Sequence, residues 1–121
     1  MIERIEITGI HTIIDDRLHK YITKKIGGLD HYIPRTARPS AHAEIVIRQE
    51  KSSENKQYLC EITLYVPHEV LNISERMPNA FSAVDVAEAK MKQQIVIYKE
   101  KHVNGIIGRR LAARSVRKES Q

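Results

Sequence analysis

Residues 41–66, AHAEIVIRQEKSSENKQYLCEITLYV, decide the fold. In residues 41–49 the apolar side chains occupy alternate positions at Ala43, Ile45 and Ile47, with polar residues between them. Residues 57–66 repeat this pattern at Tyr58, Cys60, Ile62, Leu64 and Val66. Alternation with a period of two is typical of strands that bury one face and expose the other. The polar link between them, residues 50–56, predicts a hairpin loop.

One further strand is predicted on each side of this pair. Ile2, Ile5 and Ile7 indicate a short first strand that ends in a turn at Thr8-Gly9. Residues 69–75 follow the Pro67-His68 turn and again alternate, which predicts a fourth strand.

In two further segments apolar side chains recur every three or four residues, which predicts two amphipathic helices. The first follows a Thr12/Asp15 pair that is close to a capping box, and ends near Gly27-Gly28; its apolar stripe is Ile14, Leu18, Tyr21, Ile22 and Ile26. The second begins after Asn79, a residue suited to an N-cap, and extends to about His102; its stripe is Ala80, Val84, Ala87, Met91, Ile95 and Tyr98.

The predicted element order is therefore β-α-β-β-β-α. Because the strands alternate, only one face of the sheet is buried, and both helices should cover that face. We expect an α+β fold over residues 1–102, a two-layer sandwich of a four-stranded sheet with two helices packed on one face.

Positive charge is concentrated at the C-terminus. The chain has 20 basic and 15 acidic side chains; five basic and one acidic fall in residues 103–121, which leaves 15 and 14 in residues 1–102. A segment this polar is expected to be a basic, disordered tail. A nearly neutral body with a basic tail indicates a polyanionic partner, provided that the charges of the body are segregated.

The predicted helices meet this condition, because their basic residues fall into stripes. Arg17, Lys20 and Lys24 share one stripe of the first helix. On the second helix Lys90 and Lys101 share one flank, and Lys92 and Lys99 share the other. The carboxylates of the body lie mostly on strands and loops, so we expect a basic helical layer and an acidic sheet layer.

Charged stripes alone are typical of any surface helix. The tail strengthens the case for RNA, because arginine binds phosphate through a planar fork of donors; its candidate contacts are Arg109, Arg110 and Arg114.

Other functional classes are disfavoured by the composition. Cys60, the single cysteine, excludes an internal disulfide or a thiolate metal cluster, and in an alternating strand it is expected to be an inert buried side chain. No catalytic constellation, metal-ligand set or phosphate-binding glycine loop is present. We therefore expect no enzyme activity, no cofactor and no small-molecule substrate. No apolar run approaches the ~20 residues of a membrane span, and no signal-peptide block begins the chain, so a cytoplasmic location is expected.

Two segments of the sequence resemble the ribosome hibernation promoting factors and ribosome-associated inhibitors, in their short form. The first segment begins at Ile7-Thr8-Gly9 and continues through the first helix to residues 29–32, LDHY. The second comprises residues 79–85 (NAFSAVD), 90–94 (KMKQQ) and 98–101 (YKEK). With the strands between them, the similarity spans residues 2–102.

The resemblance implies a stress or stationary-phase factor that lies between the head and body of the small ribosomal subunit. There it would occlude the tRNA and mRNA sites and inhibit translation. By motif position, Lys25, Lys90 and Lys101 are the implied rRNA contacts, although Lys25 is explained equally well as a lysine snorkelling at a helix end. The long form's C-terminal dimerisation domain has no counterpart here, so a monomer is expected.

The sequence departs from the family pattern at several basic positions. Gly28, Gln93 and Ile97 stand where the family has basic residues, and Asn79 stands for its aspartate. Lys20, Lys24, Lys92 and Lys99 are the expected replacements. An RNA-binding ribosome assembly factor would share nearly all of these features and remains the alternative.

Overall fold

A computed structural model of the chain describes residues 1–51 and 56–102. The elements, in chain order, are strand β1 (Arg4–Ile10), helix α1 (Asp16–Gly27), two 3-10 turns (Gly28–His31 and Arg38–Ser40), strands β2 (His42–Lys51), β3 (Lys56–Val66) and β4 (Glu69–Met77), and helix α2 (Ala80–His102). The predicted β-α-β-β-β-α order is confirmed. The predicted tail, residues 103–121, lies outside the described residues.

The four strands form one sheet in the order β1-β2-β3-β4. β1 runs parallel to β2, and the remaining neighbours are antiparallel. Ile45 lies opposite Ile7 on one side and Ile62 on the other, and Ile62 in turn lies opposite Ile73. These four isoleucines therefore cross the sheet as one row on one face, since directly paired residues point the same way. Helix α1 forms the crossover that a parallel pair requires.

Both helices cover the face that carries this row. The apolar side of α1, with Leu18, Ile22 and Ile26, and that of α2, with Val84, Ala87, Met91 and Ile95, join the strands in a single buried cluster. We call the other surface of the sheet, which no helix covers, the open sheet face; it carries Glu6, Glu44, Glu61, Tyr65 and Val70. The expected two-layer α+β sandwich is confirmed.

The turn predicted at Thr8-Gly9 is wrong. β1 continues to Ile10, and Gly9 lies opposite Ile47 within the parallel pair. The chain turns at His11, whose φ is 59°. It then returns so closely that a Cβ at Gly9 would lie 2.5 Å from the carbonyl oxygen of Thr12. Glycine is needed at this position for close approach of the backbone, not for a turn.

The ends of the hairpin strands and the N-terminal caps of the two helices can also be compared with the prediction. β2 and β3 extend into both ends of the predicted hairpin loop, since Glu50 pairs with Gln57 and Lys51 with Lys56. Their polar side chains do not prevent this, because the ladder is made by backbone groups. Asp15, not Thr12, caps α1, and its carboxylate accepts a hydrogen bond from the Leu18 amide at 2.8 Å. Asn79 caps α2 as predicted, accepting from the Phe81 amide at 2.7 Å.

Cys60 gives a direct test of the core. Its side chain is fully buried on β3, and this burial, with the nearby charge of Glu61, raises the pKa of the thiol to about 12. Because the thiolate is the reactive species, we expect no measurable reaction with an aromatic disulfide reagent at pH 8 in the folded protein. Complete reaction is expected in guanidinium chloride, followed by absorbance. Stoichiometric labelling under native conditions within minutes would contradict the buried position.

Candidate nucleic-acid interface

Helices α1 and α2 are joined at Asp85 of α2. Its carboxylate accepts a hydrogen bond from the hydroxyl of Tyr21 and lies 3.5 Å from Nζ of Lys25, both on α1. The Tyr21 ring also packs edge-on against Phe81, with 5.0 Å between ring centroids. These contacts hold the two helices side by side on the sheet. We call their combined solvent-facing surface the helical face.

The α1 part of the helical face carries three exposed cations, Arg17, Lys20 and Lys24. None of the three forms an ion pair with another described residue. The guanidinium of Arg17 lies 5.8 Å from the centroid of the Phe81 ring, so its position is partly fixed by packing. This stripe is therefore open to an external anion.

The α2 part of the helical face is different, because most of its lysines already have carboxylate partners. Lys90 pairs with Glu75, and Lys101 lies 3.4 Å from Glu69, both acceptors being on β4. Lys92 lies 3.4 Å from Glu88 one turn earlier on α2. Lys99 is exposed and forms no ion pair among the described residues.

At Lys25 the structure agrees with one part of the snorkelling interpretation, the packing of the stem. Its ammonium lies 5.8 Å from the Tyr21 ring centroid and reaches Asp85, while its side chain remains 40% exposed. The stem thus follows the apolar edge of α1, and the head is directed to a carboxylate of α2 instead of to open solvent.

The expected separation of a basic helical layer from an acidic sheet layer holds along α1 and fails along α2. Glu69 and Glu75 lie on the same side of β4 as Leu71 and Ile73, which faces the helices. Their spacing from Leu71 and Ile73 by two residues already contained this information, because side chains two residues apart on a strand share a face. Asp85, Glu88 and Glu100 on α2 itself add three more carboxylates to the helical layer.

The candidates thus divide into two groups among the described residues. Arg17, Lys20, Lys24 and Lys99 have no carboxylate partner, whereas Lys25, Lys90, Lys92 and Lys101 each have one. The tail candidates Arg109, Arg110 and Arg114 lie outside the described residues.

No group of three or more histidine, cysteine, aspartate or glutamate side chains within residues 1–51 and 56–102 is placed to hold a metal ion. In the same part of the chain, no helix combines the length and apolar character that crossing a bilayer requires.

The sequence matches the model of a known protein family over residues 5–103, described as Sigma 54 modulation protein / S30EA ribosomal protein. The chain belongs to this family. Two curated relatives are both named ribosome hibernation promotion factor. The protein of Staphylococcus aureus (strain COL) is 28% identical over 96 residues, which are 79% of this chain and 48% of the relative. That of Lactococcus lactis subsp. cremoris (strain MG1363) is 26% identical over 96 residues, which are 79% of this chain and 49% of the relative.

These matches confirm the family resemblance that the two sequence motifs indicated. The chain spans about half the length of the curated relatives it matches. Among solved structures, the Thermus thermophilus Protein Y N-terminal domain superposes with a TM-score of 0.65 at 20% identity, covering 77% of this chain and 94% of that domain. A ribosomal subunit interface protein from Coxiella burnetii superposes with a TM-score of 0.65 at 21% identity, covering 79% of this chain and 97% of that protein. Both share the α+β fold.

The contact between the helices predicts an unusual tyrosine titration. The hydrogen bond to Asp85, then burial, and then the charges of Asp85 and Glu88 raise the pKa of Tyr21 to about 12. Since the folded-state pKa lies above the usual value of about 10, the stabilisation is present below pH 10 and is lost as the pH rises through about 12. We expect Asp85→Asn to lower the pKa of Tyr21, measured by absorbance titration at alkaline pH. Tyr21→Phe identifies the transition, and an identical curve in the Asp85→Asn variant would contradict the assigned hydrogen bond.

Proposed function

We propose that this chain binds the small ribosomal subunit through its rRNA, in the groove between head and body. By occupying the tRNA and mRNA sites it inhibits translation during stress or stationary phase. Membership of the family supports association with ribosomes, because relatives are named ribosome hibernation promotion factor and a structural neighbour is titled a ribosomal subunit interface protein.

The observation that carries the proposal is the α1 stripe of Arg17, Lys20 and Lys24. These side chains project from one side of a helix over about 10 Å, at 1.5 Å of rise per residue. Because no described carboxylate neutralises them, phosphate binding there requires no ion pair of the protein to break. Each lysine or arginine that contacts a phosphate releases counterions, which gives such binding its strong dependence on salt.

Recognition by backbone and shape fits this protein better than recognition by base stacking. Tyr98 is almost fully buried on α2, and its hydroxyl donates to the Pro67 carbonyl at 2.8 Å. Tyr21 and Tyr58 pack against the core. Tyr32 is 42% exposed, but the ammonium of Lys92 lies over its ring, 5.2 Å from the centroid. Single-strand binders stack bases on exposed aromatic platforms, whereas folded RNA is bound through phosphates and groove shape. A folded rRNA surface is therefore the expected partner.

In this proposal the protein acts in the cytoplasm as a monomer and has no catalytic role. Residues 1–102 dock on the subunit with the helical face towards rRNA, and the basic residues of 103–121 add phosphate contacts. Purified protein should sediment with mature small subunits and whole ribosomes. Sedimentation only with immature particles would instead support the alternative of an assembly factor.

Neutralising the α1 stripe should weaken binding to the ribosome. For Lys20→Gln/Lys24→Gln we expect about a 30-fold loss of affinity for purified small subunits, since two phosphate contacts of ~1 kcal/mol each are removed. The plot of log K against log salt should also become shallower by about 0.7 to 0.9 for each lysine. Co-sedimentation across a salt series measures both quantities.

The matched control removes two positive charges from the open sheet face, with Arg4→Gln/Arg48→Gln. This variant has the same net charge as Lys20→Gln/Lys24→Gln and should bind subunits within about twofold of wild type, because long-range charge effects are screened at physiological salt. Equal losses in both variants would contradict a specific contact at α1.

A further inference from the structure

The edge of the helical face where α2 meets β4 carries two carboxylates that point towards the lysines of α2. Glu75 pairs with Lys90, and Glu69 pairs with Lys101. The two lysines lie eleven residues apart on one helix, about 16 Å along its axis. Both lysine side chains remain half exposed, at 51% and 58%. They are thus accessible to an external phosphate, but each already has an anionic partner.

We propose that Glu69 and Glu75 limit the affinity of the rRNA-binding surface by competing with RNA phosphates for Lys101 and Lys90. This inference rests on the proposed function. A phosphate that contacts either lysine must displace the carboxylate or accept it as a close negative neighbour. The α2 edge therefore favours an RNA surface whose phosphates can replace both carboxylates.

Two features of the structure make the competition effective. Glu69 also accepts from His102, at 2.9 Å, so Lys101 and His102 share its carboxylate. Although burial raises the pKa of this carboxyl, the hydrogen bonds from His102 and Lys101 outweigh it and lower the pKa. Glu69 is accordingly ionised at neutral pH. Both carboxylates are also largely covered by their surroundings, since the side chains of Glu69 and Glu75 are 27% and 21% exposed.

The same geometry separates this edge from the α1 stripe. Lys20 and Lys24 contact phosphate without an internal competitor, whereas Lys90 and Lys101 must exchange one anion for another. When a phosphate replaces a carboxylate at a lysine of α2, the freed carboxylate attracts cations from solution. Fewer counterions are therefore released than when a phosphate binds a lysine of the α1 stripe. The carboxylates should therefore reduce both the affinity and the salt dependence of binding.

The test neutralises the two carboxylates with Glu69→Gln/Glu75→Gln and measures binding to purified small subunits. We expect an increase in affinity of about fivefold, equivalent to about 1 kcal/mol, since exposed ion pairs are individually weak. The dependence of log K on log salt should become steeper by up to about 1 for each pair. Circular dichroism establishes that each variant remains folded.

The control variant Glu6→Gln/Glu61→Gln removes the same two charges from the open sheet face. Its affinity should stay within twofold of wild type. An equal gain in both variants would show a general charge effect and overturn the proposal, as would a loss of affinity in Glu69→Gln/Glu75→Gln, which would mean that the carboxylates position the lysines productively.

Coupling to the lysine gives a second, independent test. Glu75→Gln should raise affinity two- to threefold in the wild-type background and leave it unchanged in a Lys90→Gln background, because the carboxylate then has no lysine to compete for. Equal effects in the two backgrounds would overturn the proposal. Failure of wild-type protein to bind small subunits would instead refute the proposed function itself, so the two failures are distinguishable.

Discussion

The row formed by Ile7, Ile45, Ile62 and Ile73 constrains most of this structure. Ile45 and Ile62 at its centre are completely buried, and burying one such side chain contributes about 1.5–3 kcal/mol. Because all four point to one face, both helices must cover that face, and their outer sides must form a single surface. The charged residues of α1 and α2 thus reach solvent on the same side of the molecule, opposite the open sheet face. Asp85 then fixes the relative position of the two helices through Tyr21 and Lys25.

Charge is distributed unevenly over the resulting helical face. On α1 the stripe of Arg17, Lys20 and Lys24 has no described carboxylate partner. On α2, three of the four lysines are paired with carboxylates of the helix itself or of β4. The two halves should consequently contribute in different ways: α1 supplies affinity for phosphate directly, and α2 does so only after exchange of anions.

The strand alternation and the helix stripes predicted the fold because burial dominates both patterns. The errors arose where local and non-local forces compete: Gly9 was assigned to a turn, although a parallel neighbour keeps it in β1. The cations of α1 were also located correctly from helix periodicity. The partners of Lys90 and Lys101 were missed because pairing between α2 and β4 depends on which strand lies beneath which helix flank. The one sign of this pairing in the sequence was that Glu69, Leu71 and Glu75 are separated by even numbers of residues, so that they share one face of β4.

In the proposed complex the helical face, not the open sheet face, docks on the ribosome. Hydroxyl-radical footprinting with mass spectrometry tests it directly, since each face carries exposed apolar reporters. Val96 and Ile97 on α2 are 45% and 46% exposed, and Val70 on the open sheet face is 59% exposed. Saturating small subunits should protect Val96 and Ile97 from oxidation and leave Val70 as reactive as in the free protein. Protection of Val70 with undiminished oxidation of Val96 and Ile97 would contradict the account.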